Sequence, residues 1–166
     1  EEESGFSDYW ETRTMDNSGE LLNEIREKIT DIAKLSRNSL ALVLNAGDGL
    51  LLGELIRKIS DETVYALVET KSEKELLYGI HSKSYSGIKP VVEADNLGNP
   101  ASFEIDDLLF DRIVGRNVLY NQNDKSSFLK TLSKWISNEG FVILSESVPS
   151  QGQRLSDLIP NDYLDS

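Results

Sequence analysis

The feature that most constrains this chain is an unbroken apolar run, Leu40-Ala41-Leu42-Val43-Leu44, that passes straight into Asn45-Ala46-Gly47-Asp48-Gly49. Apolar residues without polar alternation describe a strand covered on both faces, as in a parallel sheet between helices. The run is strand-sized, far short of the roughly 20 residues that a membrane-spanning helix needs. Glycines after such a strand let the backbone turn tightly and, lacking a Cβ, let a ligand come close. A lone Gly-x-Gly leaves two readings open, a ligand-bearing turn and a plain strand-to-helix turn. A dinucleotide fingerprint would need a third glycine where Leu52 stands, and Gly53 is one place late. That spacing counts against a nicotinamide or flavin site.

The rest of the chain alternates in the same way. Ser18-Gly19-Glu20-Leu21 reads as a helix start, and Leu21, Leu22, Ile25, Ile29, Ile32, Ala33 and Leu35 recur at helical spacing. Helices are predicted over residues 50–59 and 72–80, and strands over 40–44, 64–68 and 88–92. Pro90 cannot donate to a sheet ladder, so the last of these strands belongs at or near an edge. Residues 96–102 read as loop. Phe110 with Arg112-Ile113-Val114 gives a fourth strand. Asp124 caps a helix that carries Phe128, Leu129, Leu132, Trp135 and Ile136, Gly140 reads as its C-terminal glycine, and residues 141–144 form a fifth strand. Strands alternating with helices imply right-handed crossovers. The expected architecture is a three-layer α/β domain, a doubly wound parallel sheet of strand order 3-2-1-4-5.

Composition narrows the chemistry. The 166 residues contain no cysteine, which removes disulfides, thiolate metal sites and a cysteine nucleophile together. The single histidine, His81, reads as a surface residue after a helix, so a zinc site would have to be built almost wholly from carboxylates. Lys plus Arg number 17 against 29 Asp plus Glu, a net charge of −12. Such a field repels polyanions, so direct binding to nucleic acid or to an anionic membrane is not expected of this segment. No basic-then-apolar leader opens the chain, and a cytoplasmic location is expected. Residues 1–17 read as a linker or docking arm in which Trp10 suits a contact with a neighbouring domain, residues 18–149 as the domain, and 150–166 as a truncated C-terminal extension. The first residue, Glu1, and the abrupt close at Asp165-Ser166 read as the ends of a piece of a longer polypeptide.

Several phrases in order carry a resemblance. Residues 42–49 resemble motif I of class I S-adenosylmethionine-dependent methyltransferases, Phe110-Asp111-Arg112-Ile113-Val114-Gly115-Arg116-Asn117-Val118-Leu119 resembles their fourth-strand motif, and residues 128–144 resemble the helix and fifth strand that follow. The resemblance covers roughly residues 20–149 and implies a Rossmann-like fold. A closer likeness lies in Leu44-Asn45-Ala46-Gly47-Asp48-Gly49-Leu50-Leu51, Val64-Tyr65-Ala66-Leu67-Val68, Ile113-Val114-Gly115-Arg116-Asn117 and Glu146-Ser147-Val148-Pro149 with Gln153-Arg154-Leu155. These resemble the methyltransferase-like domain fused behind a replication-associated recombination ATPase of the AAA+ class in cyanobacteria. That likeness implies an ATP-binding parent chain acting in DNA replication and recombination. No phosphate-binding Gly-x-x-x-x-Gly-Lys loop occurs in this segment itself.

By the same resemblance, S-adenosylmethionine would meet Asn45, Gly47, Gly49, Glu69 and Asp95, with Asn117 on the substrate side. Asp95 reads equally well as a solvated loop residue. The chain departs from the family at three points: Asn45 stands where an acid is usual, Leu51 replaces a third glycine and would crowd the turn, and Val68 stands where the ribose-binding acid ends the second strand. The terminal antiparallel strand pair of a complete class I domain has no room in residues 150–166. Two functions remain: a degenerate accessory module, with weak or lost cofactor binding, that contacts its own AAA+ portion or another protein; and an active methyltransferase of unknown substrate.

Overall fold

The apolar run becomes the middle strand of a sheet in the computed structural model of the chain, which describes residues 17–59, 63–84, 90–94, 108–120 and 122–148. The chain runs through α1 (Asn17–Ala33), β1 (Ala41–Leu44), α2 (Leu50–Lys58), β2 (Val64–Val68), α3 (Lys71–Ser84), β3 (Val91–Ala94), β4 (Phe110–Arg116), α4 (Lys125–Trp135) and β5 (Ile136–Ser145). Five strands form one sheet in the order β3-β2-β1-β4-β5, and each adjacent pair is parallel. This is the doubly wound α/β architecture, in the strand order, that the sequence predicts.

All four residues of β1 are buried, yet they divide between two cores. Ala41 and Val43 pack in a cluster with Ile29 and Ala33 of α1, Leu52 and Leu55 of α2 and Leu77 of α3. Leu42 and Leu44 join Phe110 and Ile113 of β4 and Phe128 and Leu132 of α4. Successive side chains of a strand point to opposite faces, and because helices cover both, the sequence shows no polar alternation. Burying each Leu or Val contributes about 1.5–3 kcal/mol, which makes β1 the expensive strand to disturb. At the amino edge, Arg112 Nε donates to Ala33 O at 2.6 Å and its guanidinium lies 4.1 Å from the centre of the Phe141 ring. The C-terminus of α1 is thereby held at the amino edge of β4.

Several boundaries differ from expectation for identifiable reasons. The third strand starts after Pro90, at Val91, because the ladder needs the N–H that proline lacks. It is an edge strand as predicted. The helix expected to stop at residue 80 continues to Ser84, so position 81 lies inside it. Asp124 does cap α4, accepting from Ser127 N at 2.9 Å. Gly140, in contrast, ends no helix. The chain leaves α4 at Trp135 and is already extended at Ile136, and Gly140 lies within β5 where the register with β4 shifts. A Cβ at Gly140 would stand 2.7 Å from Phe110 O and 2.8 Å from Ile136 Cγ1, so close approach of backbone demands the glycine. Residues 1–16, 96–102 and 150–166, with the expected linker, loop and missing strand pair, lie outside the described residues, as does Asp95.

Candidate functional site

In an open α/β sheet, ligands bind beyond the carboxyl ends of the strands, and here β1, β2 and β4 all deliver turns to that edge. The turn after β1 is built from two left-handed residues, Asn45 at φ 54° and Gly49 at φ 70°. Asparagine and glycine are the residue types that enter this region most readily. Ala46 N donates to Leu67 O at 2.9 Å and Gly49 N to Ala46 O at 2.8 Å, which folds the turn back over β2. The Asn45 side chain spans to β4, donating from Nδ2 to Arg116 O at 3.0 Å. Asp48 Oδ1 accepts from Leu50 N at 3.0 Å, and Oδ2 faces Arg116 Nη1 at 3.8 Å.

Gly47 is a glycine for a reason the sequence hides. A Cβ there would stand 2.5 Å from Oε1 of Glu73. Thr70 and Glu73 form a capping box at the start of α3: Glu73 N donates to Thr70 Oγ1 at 3.2 Å and Thr70 N to Glu73 Oε2 at 2.9 Å. Glu69 N donates to the same Oε2 at 3.1 Å. One oxygen of Glu73 is thus spent on the helix start while the other lies against the glycine turn. Glu69 itself is exposed at the end of β2.

The turn after β4 is closed in the same manner. Asn117, at φ 53°, donates from its N–H to Ser145 O at 2.8 Å and accepts at Oδ1 from Ser147 N at 2.9 Å and Ser147 Oγ at 2.8 Å. Glu146 Oε1 accepts from Val118 N at 2.8 Å and Leu119 N at 2.9 Å, and Oε2 accepts from Tyr120 N at 3.1 Å. Three successive N–H groups form a concave anion site of the nest type, and the chain fills it with its own carboxylate.

The structure therefore brings Asn45, Gly47, Gly49 and Asn117 to one edge and sets Glu69 on its rim. Val68 is fully buried in the core and cannot take over the part of an acid. Leu51 also turns inward, 6% exposed within the cluster of Ile29 and Leu55, so the crowding of the turn expected from it is absent: the first turn of α2 points position 51 at the core. Sequence reading missed Glu73, Glu146 and Arg26. Thr70-x-x-Glu73 carries the capping-box spacing and could have been found. Arg26 lies between Leu22 and Ile29 on the apolar face of α1, an unusual place for a charge. It is 6% exposed, and burial lowers its pKa against the pull of Asp48 and Glu54. Among the described residues, no group of His, Asp and Glu side chains is arranged to hold a metal ion, and no helix is long and apolar enough to cross a membrane.

No family model and no curated sequence matches the chain. Solved structures do. A coclaurine N-methyltransferase bound to N-methylheliamine and S-adenosylhomocysteine superposes with a TM-score of 0.68 at 19% identity, covering 78% of this chain and 37% of its own. An S-adenosylmethionine-dependent methyltransferase from Aquifex aeolicus gives 0.63 at 14% identity, covering 84% and 74%. The plantazolicin methyltransferase, solved with a desmethyl-plantazolicin analogue and S-adenosylhomocysteine, gives 0.58 at 12% identity, covering 93% and 55%. The chain shares the fold of these methyltransferases. The chain spans little more than a third of the first of these proteins and about half of the last. The turn after β1 of this methyltransferase-like fold is the one that carries Gly47 and Gly49, and the turn after β4 is the one that Glu146 closes.

Proposed function

We propose that this chain is a methyltransferase-like module that has given up efficient methyl transfer and acts as an accessory, protein-contacting part of a longer cytoplasmic AAA+ ATPase engaged in DNA replication and recombination. The observation that carries the first half is the self-closure of the carboxyl edge. Glu73 lies against Gly47, where a cofactor would need bare backbone, and Glu146 consumes the N–H groups of Val118, Leu119 and Tyr120 after β4. The missing acids at Asn45 and Val68 support the same reading. The second half rests on the resemblance of residues 44–51, 64–68, 113–117 and 146–149 to the domain fused behind such ATPases.

Calorimetric titration with S-adenosylmethionine and S-adenosylhomocysteine tests it. Loss of one charge-assisted contact to ribose lowers affinity about tenfold to a hundredfold, so binding weaker than low micromolar is expected. A low-micromolar or tighter dissociation constant would restore the alternative, an active methyltransferase in which Glu69 or Glu73 replaces the absent acid. The module alone is expected not to bind DNA near 0.15 M salt, since its net charge is −12. Saturable micromolar binding in an anisotropy titration would instead make it a direct nucleic-acid handler.

A further inference from the structure

The sheet ends on two strands, and the chain treats them differently. At one edge, Val92 of β3 stands in register with Ala66 of β2. The hydroxyl of Tyr78 on α3 takes both of its backbone groups, accepting from Val92 N at 3.4 Å and donating to Val92 O at 3.3 Å. Lys74 Nζ lies 5.9 Å from the centre of the same ring. An outward row covered by a side chain, with a lysine beside it, is an edge closed against a further strand.

The other edge has no such cover. Among the described residues, the ten-residue β5 has β4 as its sole ladder partner, and no side chain bonds to its outer row. Ser145 O faces β4, where it accepts from Asn117 N at 2.8 Å. Backbone groups alternate along an extended strand, so Ile143 faces β4 as well, while Val142 and Leu144 direct their N–H and C=O away from the sheet. The side chains here are apolar and only half-buried from Phe141 to Leu144, whereas all four residues of β1 are buried. The helices that border β5, α1 and α4, each carry an exposed apolar residue, Ile32 and Leu129. A long, apolar, unpaired edge is a template for another strand.

We propose that the outer edge of β5 receives a second copy of this chain, strand to strand, in a two-fold dimer with one continuous sheet. The self-complementarity of the strand selects this occupant. A two-fold axis perpendicular to the sheet brings the two strands together antiparallel. Centred on Ile143, it pairs Val142 with Leu144 of the second copy, and each such pair exchanges both its hydrogen bonds. Glu139, the one charged residue of β5, then stands opposite Ser147 of the second copy, so no like charges meet along the seam. The same axis keeps each helix layer on its own face, α1 beside its counterpart on one and α4 on the other. The dimer requires neither cofactor binding nor the ATPase.

Sedimentation equilibrium of the 166-residue chain, with amide hydrogen exchange read residue by residue, tests this. Concentrated wild type should sediment at twice 18.6 kDa. The dimer should tighten as salt rises from roughly 0.05 to 0.5 M, because repulsion between two chains of charge −12 is screened. The amides of Val142 and Leu144 should be protected in the dimer and exchange quickly on dilution, while that of Ile143, facing β4, stays protected throughout. Val142→Pro removes one outward donor from each copy and spares the β4 ladder, so its dimer dissociation constant should rise about tenfold or more at unchanged circular dichroism. Should the proline variant fail to fold, the exchange pattern of the wild type decides alone. A chain that stays monomeric at high concentration and salt overturns the dimer. It does so whether Val142 and Leu144 exchange freely, leaving the edge to another partner, or are protected, showing that the chain covers its own edge. A dimer in which those two amides exchange freely, or which Val142→Pro leaves as tight as before, is joined elsewhere and overturns the proposal too.

Discussion

Removing the carboxylate of Glu146 should loosen the turn after β4 by an amount that can be worked out from its bonds. Three backbone N–H groups converge on it, at 2.8 Å from Val118, 2.9 Å from Leu119 and 3.1 Å from Tyr120. A hydrogen bond to a charged group contributes about 1.5–3 kcal/mol net. Three bonds to one carboxylate do not add in full, and Tyr120 is exposed, so water recovers part of the loss. The expected cost of Glu146→Ala is about 2–4 kcal/mol. Glu146→Gln keeps one acceptor oxygen for Val118 and Leu119 but turns a donor toward Tyr120 N–H, for about 1–2 kcal/mol. In urea, with a slope of roughly 1–3 kcal/mol per molar, the Ala variant should lose about 1–2 M in its midpoint at unchanged slope. Far-UV circular dichroism reads the transition, and amide exchange should quicken at residues 118–120 first. An Ala variant within about 0.5 kcal/mol of the wild type, the range of ordinary surface substitutions, would refute the clasp. So would a Gln variant as damaged as the Ala variant.

Other substitutions test other parts of the same edge and sheet. Gly47→Ala should cost about 1–2 kcal/mol by displacing the Glu73 carboxylate from its cap, and much less in a Glu73→Ala background; a double-mutant cycle with no coupling would show that Glu73 does not demand the glycine. Gly140→Ala should cost about 2–3 kcal/mol, because the backbone oxygen of Phe110, 2.7 Å from the new Cβ, cannot step aside as a side chain does. Calorimetric melting that places this variant level with the wild type would contradict the tight passage from α4 into β5. Asp124→Ala should lower stability by about 1 kcal/mol through loss of the bond from Ser127 N, with Asp124→Asn close to the wild type in thermal denaturation.

What the sequence disclosed was what local pattern can carry. The run 40–44, the alternation of strands and helices, Pro90 near an edge and Asp124 before a helix all express short-range rules, and each is found in the structure. What it concealed arises between residues far apart along the chain. Gly140 looks like a helix terminator until Phe110 is seen beside it. Leu51 looks like an obstruction until α2 turns it toward Ile29. Asn45 looks like a degraded acid, yet its amide reaches a carbonyl 71 residues away, and a carboxylate there could not have donated that bond. Glu73 shows in the spacing of Thr70-x-x-Glu73 and Arg26 in its place on an apolar helix face, but only the folded chain shows that Glu73 lies against Gly47 and that Glu146 meets the N–H groups after β4.

The closing of the carboxyl edge by its own side chains also limits how this sequence can drift across generations. Gly47 with Glu73, Asp48 with Arg116, and Asn117 with Ser147 are pairs in which a change in one partner alters what the other can be. They should therefore change together in descendants, while position 116 stays free of Asn45, which grips only its carbonyl. A lineage in which a large ligand came to lie against Gly47 and the turn after β4 would have to surrender the acids at 73 and 146 before any new acid at 45 or 68 could matter. The order of substitutions along such a lineage is in that sense already written into the edge.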